Sequence, residues 1–472
     1  MYGDTVCATF RFGILPAQCD NPRPVSFEPP VARSNRKPIN PVEWELDILD
    51  LSHDGRGVAR IDGKAVFVTG ALPGERVRAR QTQRKKRFDE ASTIEVLRAS
   101  PDRVVPKCVH FGVCGGCVLQ HLASEKQVEA KQRVLLENFE RIGHVRPERV
   151  LALLMGESWG YRRKARLGAK FVAKKDKALV GFREIDGRFI ADLIRCEVLI
   201  PQVGERIAEL SALVGALEAR DQIAQIELAA GDETVVLVFR HLVPLVEADR
   251  ARLRAFGLQS GIAIYLQPAG NDSVHPLDPH APTLRFALPR YDVDFEFSPL
   301  DFVQVNGDMN RRMVDHALDL LDPQPTDRVL DLFCGLGNFT LPLARRAGSV
   351  VGVEGEAGLV QRARDNAARN GIGNVEFHAA DLVHDFRAEP WMRQGFDKLL
   401  LDPPRTGADA TIAQLPLGSV QRIVYVSCHP GSLARDAGIL VREHGYQLVV
   451  AGVMDMFPHT AHVESIALFE RS

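Results

Sequence analysis

Long hydrophobic runs are missing from the 472 residues: none approaches the roughly eighteen consecutive apolar side chains of a membrane span. The first residues also lack the apolar core of a secretory leader, which points to a cytosolic protein. Cysteine is scarce at eight, too few for a disulfide framework. Any that cluster in a reducing compartment suggest metal binding or catalysis. Net charge is nearly absent too, with 59 Lys and Arg against 61 Asp and Glu. Taken whole, that balance argues against a generally basic nucleic-acid binder, and only segregation of charge along the chain could reverse it. What is present is ordinary: 45% hydrophobic and 25% charged residues suit a folded chain. Its length exceeds what one core usually holds, so several domains are expected.

Residues 1–40 carry prolines and arginines without a hydrophobic period and read as a disordered arm. Residues 41–100 show short β-prone runs broken by Gly55, Gly57, Gly63, Gly70 and Gly74, the pattern of a small OB-like β-barrel. Within it, Arg76–Arg87 holds seven basic residues and no acid. A second tract, Arg162–Lys177, holds eight basic residues and one acid, beside Tyr161, Phe171 and Phe182. Cations interleaved with rings suit RNA whose phosphates are held while its bases stack. Residues 101–295 read as an α+β central domain. From 296 to 472, buried strands alternate with helices in the manner of a doubly wound, Rossmann-like α/β domain, and the last strands, between Tyr446 and Phe469, suggest an antiparallel edge.

Four segments of this last domain carry chemistry. Asp331-Leu-Phe-Cys-Gly-Leu-Gly-Asn338 is a strand running into a glycine turn that opens a helix, where backbone can approach a ligand. Glu354, Asp381 and Asp402 end the next three strands, a pattern suited to a nucleoside. The loop lacks the third glycine of a dinucleotide site, so a cofactor with a ribose and no phosphate, S-adenosylmethionine, fits better. Asp402-Pro-Pro-Arg405 fixes a rigid loop beside it. Cys428, in Val-Ser-Cys-His, sits at a strand end and is a candidate nucleophile, while Cys334 reads as packing. In Phe457-Pro-His-Thr-Ala-His-Val-Glu464, the glutamate or either histidine could supply a base, and spacing does not choose among them.

Cys108, Cys114 and Cys117 cluster around Gly115-Gly116, with Cys196 as an isolated fourth. Two CxxC pairs, the mark of a zinc ribbon, are absent, which favours a [4Fe-4S] cluster over zinc.

Together the barrel, the C-x5-C-G-G-C cluster, DLFCGLGNFT, LLLDPPR, VSCHP and the terminal HVES resemble the RNA 5-methyluridine methyltransferases over nearly the whole chain from Trp44. The resemblance implies a TRAM barrel, a class I S-adenosylmethionine-dependent methyltransferase domain and a monomer acting on a uridine of 23S rRNA, expected at U1939. It implies that Cys108, Cys114, Cys117 and Cys196 ligate the cluster. Gln304, Phe333, Asn338, Glu354, Asp381 and Asp402 would contact S-adenosylmethionine, Cys428 would attack uracil C6 and Glu464 would remove the C5 proton. His429 departs from the family, which usually has Asn there. Three other readings compete: a relative acting on tRNA, whose bacterial members generally lack barrel and cluster, or on a different rRNA uridine; a radical methylthiotransferase, whose C-x3-C-x2-C run is absent; and a non-catalytic ribosome-assembly factor, against which intact Cys428 and Glu464 argue.

Overall fold

The computed structural model describes residues 42–280 and 282–471; the expected arm lies outside them. The first unit is a six-stranded sheet of β1 (Glu43–Asp47), β2 (Asp50–Leu51), β3 (Gly57–Ile61), β4 (Lys64–Thr69), β5 (Arg76–Arg84) and β6 (Phe88–Arg98) in the order β1-β5-β6-β4-β3-β2. Alternate residues such as Val66, Val68, Val77 and Ala79 point into its core. Asp62 and Gly63, both at positive φ, make the tight turn joining β3 to β4.

A stretch without regular elements carries Cys108, Cys114 and Cys117 and leads to α1 (Ser124–Asn138) and β7 (Arg149–Val150). Although the sequence places this segment in the central domain, Val128, Leu135 and Phe139 pack against the C-terminal domain, and β7 pairs with a strand of its sheet. The central unit proper contains β8 (Lys164–Val172), β9 (Lys177–Gly181), α2 (Pro201–Gly204), α3 (Ile207–Ala216), β10 (Ile223–Ala230), β11 (Val235–His241), α4 (Glu247–Ser260), β12 (Ala263–Gln267) and β13 (His275–Pro276). Its sheet runs β13-β12-β11-β10-β8-β9. A hairpin, β14 (Leu284–Leu288) and β15 (Val293–Phe297), leads into the last domain.

That domain comprises α5 (Gly307–Leu321), β16 (Arg328–Leu332), α6 (Thr340–Ala344), β17 (Ser349–Glu354), α7 (Ala357–Arg369), β18 (Val375–Ala379), β19 (Lys398–Leu401), α8 (Asp409–Ile412), β20 (Arg422–Ser427), α9 (Pro430–Arg442), β21 (Tyr446–Met454) and β22 (Glu464–Arg471). The sheet order is β18-β17-β16-β19-β20-β22-β21-β7. The first five strands are parallel, and β22 runs antiparallel to both of its neighbours. The antiparallel expectation therefore holds, but the position at an edge does not. The first six residues of β22, from Glu464 to Phe469, are all buried, and a strand apolar on both faces is stable only between two others.

Barrel and cysteine segment are joined by a buried clasp. Glu75 is inaccessible to solvent and accepts from Arg103 at 2.5 and 2.8 Å and from the backbone of Leu72 and Ser100. Removing one partner of such a pair strands the other charge. Arg103→Ala is expected to destabilise the barrel by about 3 kcal/mol, read as faster amide exchange throughout β4–β6; unchanged protection there would contradict the clasp.

Candidate active site

In a parallel sheet the strand ends share one rim, and the loops leaving them carry the site. β16 ends at Leu332 and turns at once: Phe333 has φ +65°, Gly335 +55° and Gly337 +94°. A left-handed phenylalanine is strained and persists only where its surroundings hold it; here the Phe333 and Cys334 amides both donate to the Val353 carbonyl. The turn leaves open space above Gly335. Glu354 accepts from the Gly335 and Glu356 amides, at 3.1 Å each, which fixes its carboxylate at the rim.

Asp331 is fully buried. One oxygen accepts from Thr340 Oγ1 at 2.5 Å and the other has no partner. Burial pushes its pKa up to about 8, helped by the charges of Asp402 and Glu354. Asp402 is raised to about 7, again by burial first and Glu354 second. Asn338 is paired with Asn310 of α5 by two reciprocal amide hydrogen bonds, 2.9 and 3.0 Å. Gln304 lines a small cavity of about 20 Å³ that also includes Asn310 and Arg163. Asp381 stands apart. It is exposed, accepts from the Val383 amide and from His384 Nδ1, and these bonds hold its carboxyl below the usual range.

The base candidates are separated by strand register. Ser427 at the end of β20 pairs with Ser465 of β22, and Ser465 Oγ donates to the Ser427 carbonyl at 3.0 Å. One residue further on, Cys428 and Glu464 are therefore neighbours across the antiparallel pair. Glu464 is 3% exposed, and burial, then the Asp402 charge, pushes its carboxyl well above the ordinary range, with Arg405 opposing. The Cys428 thiol is also pushed up, by burial and then by Glu464 and Asp402, with Arg405 again opposing. His459 is buried and stacked on Trp159 at 3.9 Å. His462 Nδ1 meets Arg405 Nη2 at 3.3 Å. Strand register thus sets Glu464, rather than either histidine, opposite Cys428 and makes it the candidate base there. A carboxyl that holds its proton strongly is a strong base once it has lost it, and a thiolate of high pKa is intrinsically more nucleophilic.

His429 has a structural explanation. It is the N-cap of α9, its Nδ1 accepting from the Ser432 amide at 3.1 Å. Asn is among the best N-cap residues, so the histidine does the work an asparagine would do there.

Cys108, Cys114, Cys117 and Cys196 line one cavity of about 20 Å³. Burial and their mutual charges push Cys114 to about 11 and Cys117 to about 12. Among the described residues no three His, Cys, Asp or Glu side chains are arranged to hold a metal ion. Gly115 and Gly116 are required by space, because a Cβ would press on the carbonyls of Arg183 and Glu184 and on the Phe182 ring, all at 3.2–3.3 Å.

The basic tracts are less bare than the linear sequence suggests. Neighbouring strands supply the missing acids: Glu45 to Arg76, Glu95 to Arg78, Glu43 to Arg80 and Glu90 to Lys85. Among the described residues, Arg84, Lys86 and Arg87 at the β5–β6 tip form no ion pair, and neither do Arg162, Lys170 and Lys174. Among the described residues no helix is long and apolar enough to cross a membrane.

The sequence pattern described as tRNA (Uracil-5-)-methyltransferase matches residues 286–472, and that described as the TRAM domain of tRNA (uracil(54)-C(5))-methyltransferase matches 45–101. A protein of Stenotrophomonas maltophilia (strain K279a) named 23S rRNA (uracil(1939)-C(5))-methyltransferase RlmD is 62% identical over 93% of this chain and 100% of its own length. The chain belongs to the RlmD family. An RlmD of Xanthomonas euvesicatoria pv. vesicatoria (strain 85-10) is 61% identical over 92% of the chain and 99% of its own length. The Pyrococcus abyssi tRNA (uracil-54, C5)-methyltransferase, solved with S-adenosyl-L-homocysteine, aligns at 26% identity and TM-score 0.69 over 90% of this chain and all of that one. This chain thus shares its fold with that S-adenosyl-L-homocysteine-bound methyltransferase over 90% of its length.

Arg405 and Asp331 lie inside motifs that the sequence exposes, yet their roles depend on burial and charge that only the fold supplies. One consequence can be measured. Because Cys428 titrates above its ordinary value and only the thiolate reacts, its alkylation by iodoacetamide should rise with pH through a midpoint above about 9. Arg405→Gln should move that midpoint higher, as followed by mass spectrometry of the Cys428 peptide. A midpoint near 7, or a downward shift in the variant, would contradict the charge balance described.

Proposed function

We propose that the protein methylates C5 of a uridine in 23S rRNA, U1939 in its relatives' numbering, with S-adenosylmethionine as methyl donor. The observation that carries the reading is the register of β20 against β22, which sets Cys428 beside Glu464 at the rim that also bears Asp402 and Arg405. S-adenosylmethionine supplies an electrophilic methyl group and a positive charge. The rim suits it through the fixed Glu354 carboxylate, the unpartnered Asp331 oxygen and the open turn at Gly335. Glu354 would accept the ribose hydroxyls, with Gln304, Phe333, Asn338, Asp381 and Asp402 completing the site.

Cys428 adds as thiolate to uracil C6, which makes C5 the nucleophilic carbon. Once C5 carries the methyl group, Glu464 takes its proton, the C5–H electron pair forms the C5=C6 bond, and the C6–S bond breaks to free the thiolate. Arg405 favours the charged form of both groups. The base must leave its stack to reach them, and the bare cations of the barrel tip and central sheet would hold the surrounding phosphates. Cys108, Cys114, Cys117 and Cys196 would hold a [4Fe-4S] cluster as a structural staple. Support for this comes from their common cavity and from a donor set of four thiolates. The protein would act as a monomer in the cytoplasm, where ribosomal RNA is assembled.

A second reading, methylation of tRNA, draws on the P. abyssi structure, and the assay separates the two. Purified protein is incubated with labelled methyl donor and either protein-free 23S rRNA or tRNA. Label should enter the rRNA and fall to background with Cys428→Ala, and 5-fluorouridine RNA should form a denaturation-resistant adduct with the wild type alone. Label in tRNA only would select the second reading; label undiminished in the variant would defeat the mechanism.

A further inference from the structure

The loop that delivers Glu464 is held from outside its own domain. Lys131 of α1 meets Asp455 at 2.7 Å, with the two side chains 3% and 1% exposed, and its Nζ also donates to the Phe457 carbonyl at 3.0 Å. One turn earlier, Gln127 Oε1 accepts from the His459 amide at 2.8 Å, and its Nε2 lies 3.2 Å from His459 Nδ1. The Val118 and Leu119 amides, directly after Cys117, both donate to the His459 carbonyl, at 2.9 and 3.0 Å. Tyr161 donates to the Pro458 carbonyl at 3.0 Å. His459 itself has φ +66°, a conformation that a non-glycine residue keeps only under such constraint.

Burying two charges costs several kcal/mol per ion, and an apolar pair of similar size is often as stabilising or more so. Fold stability alone therefore does not call for Lys131 and Asp455. What an apolar pair cannot supply is direction: Nζ fixes both Asp455, directly after β21, and the Phe457 carbonyl, seven residues before Glu464. We propose that Lys131 is a positioning residue for the proton-abstraction step, acting through Asp455 and the Phe457 carbonyl, with Gln127 as its partner on the same helix face. The inference rests on the function proposed above. It divides the reaction in two, because Cys428 directly follows β20, outside the clamped loop, whereas Glu464 is reached through that loop. Loosening the clamp should leave thiol addition and methylation intact and slow the loss of the C5 proton, so that the Cys428–RNA adduct persists.

The test uses full-length protein, ordinary uridine-containing 23S rRNA and labelled methyl donor, with Glu464→Gln as reference. In the double variant Lys131→Met/Asp455→Leu the ion pair is replaced by an apolar one, so its melting temperature should stay within a few degrees of the wild type. Turnover should fall by about ten- to a hundred-fold, and labelled, denaturation-resistant adduct should accumulate in the first turnover, as with Glu464→Gln. Gln127→Met, which leaves the ion pair intact, should give the same signature and serves if the double variant does not fold. Reduced turnover without adduct, or turnover equal to wild type, overturns the positioning role. Wild-type protein that transfers no label at all overturns instead the function on which it rests.

Discussion

Asp331 and Glu464 are buried and Asp402 and Cys428 half-buried along one rim, and Arg405 is the cation that opposes the shifts of Cys428 and Glu464. Burial raises the pKa of each group, and each carboxylate raises its neighbours further. The raised carboxyls give up their protons less readily than free ones, and nearby positive charge would favour their ionisation. A sulfonium ligand would supply that charge, and the same rim would bind a neutral analogue less well. The acids cannot be moved apart without dismantling the sheet, because each stands at the end of a different strand or in the turn beyond it. The Pro403-Pro404 pair fixes the loop that carries Arg405.

Strand order supplies the rest of the chemistry. Had β22 lain beyond β21, Glu464 would not face the strand end that bears Cys428. Inserted between β20 and β21, it brings the proposed nucleophile and base together from residues 36 positions apart in the chain. The remaining supports come from outside the domain: α1 clamps the loop before β22, the amides after Cys117 hold His459, and β7 closes the sheet beyond β21. Cysteine segment and active-site loop thus touch directly.

Much of the site was legible in the sequence because its motifs are local. DLFCGLGN, DPPR and VSC each lie within a few residues of a strand end, and hydrophobic runs reveal strand ends. What was hidden depends on distance or partnership. Lys131 and Asp455 are 324 residues apart and look like two ordinary surface charges. Asn310 reads as one more polar residue of α5 until it closes on Asn338. The basic run of β5 looked unopposed because its acids sit on β1 and β6. Asp381 ends its strand as expected but turns to solvent, where it caps its own loop. The edge assignment of the last strands failed for a related reason, since an apolar run does not reveal which strand lies on either side of it.

The account's central claim is that this rim builds 5-methyluridine at one position of the large ribosomal RNA. The direct measurement is to express the chain in a bacterial strain that lacks its own enzyme for this modification and to map 5-methyluridine across the 23S rRNA. The account predicts restoration at U1939 by the wild type and none by Glu464→Gln. Methylation restored by the Glu464 variant, or found only elsewhere in the RNA, would contradict it.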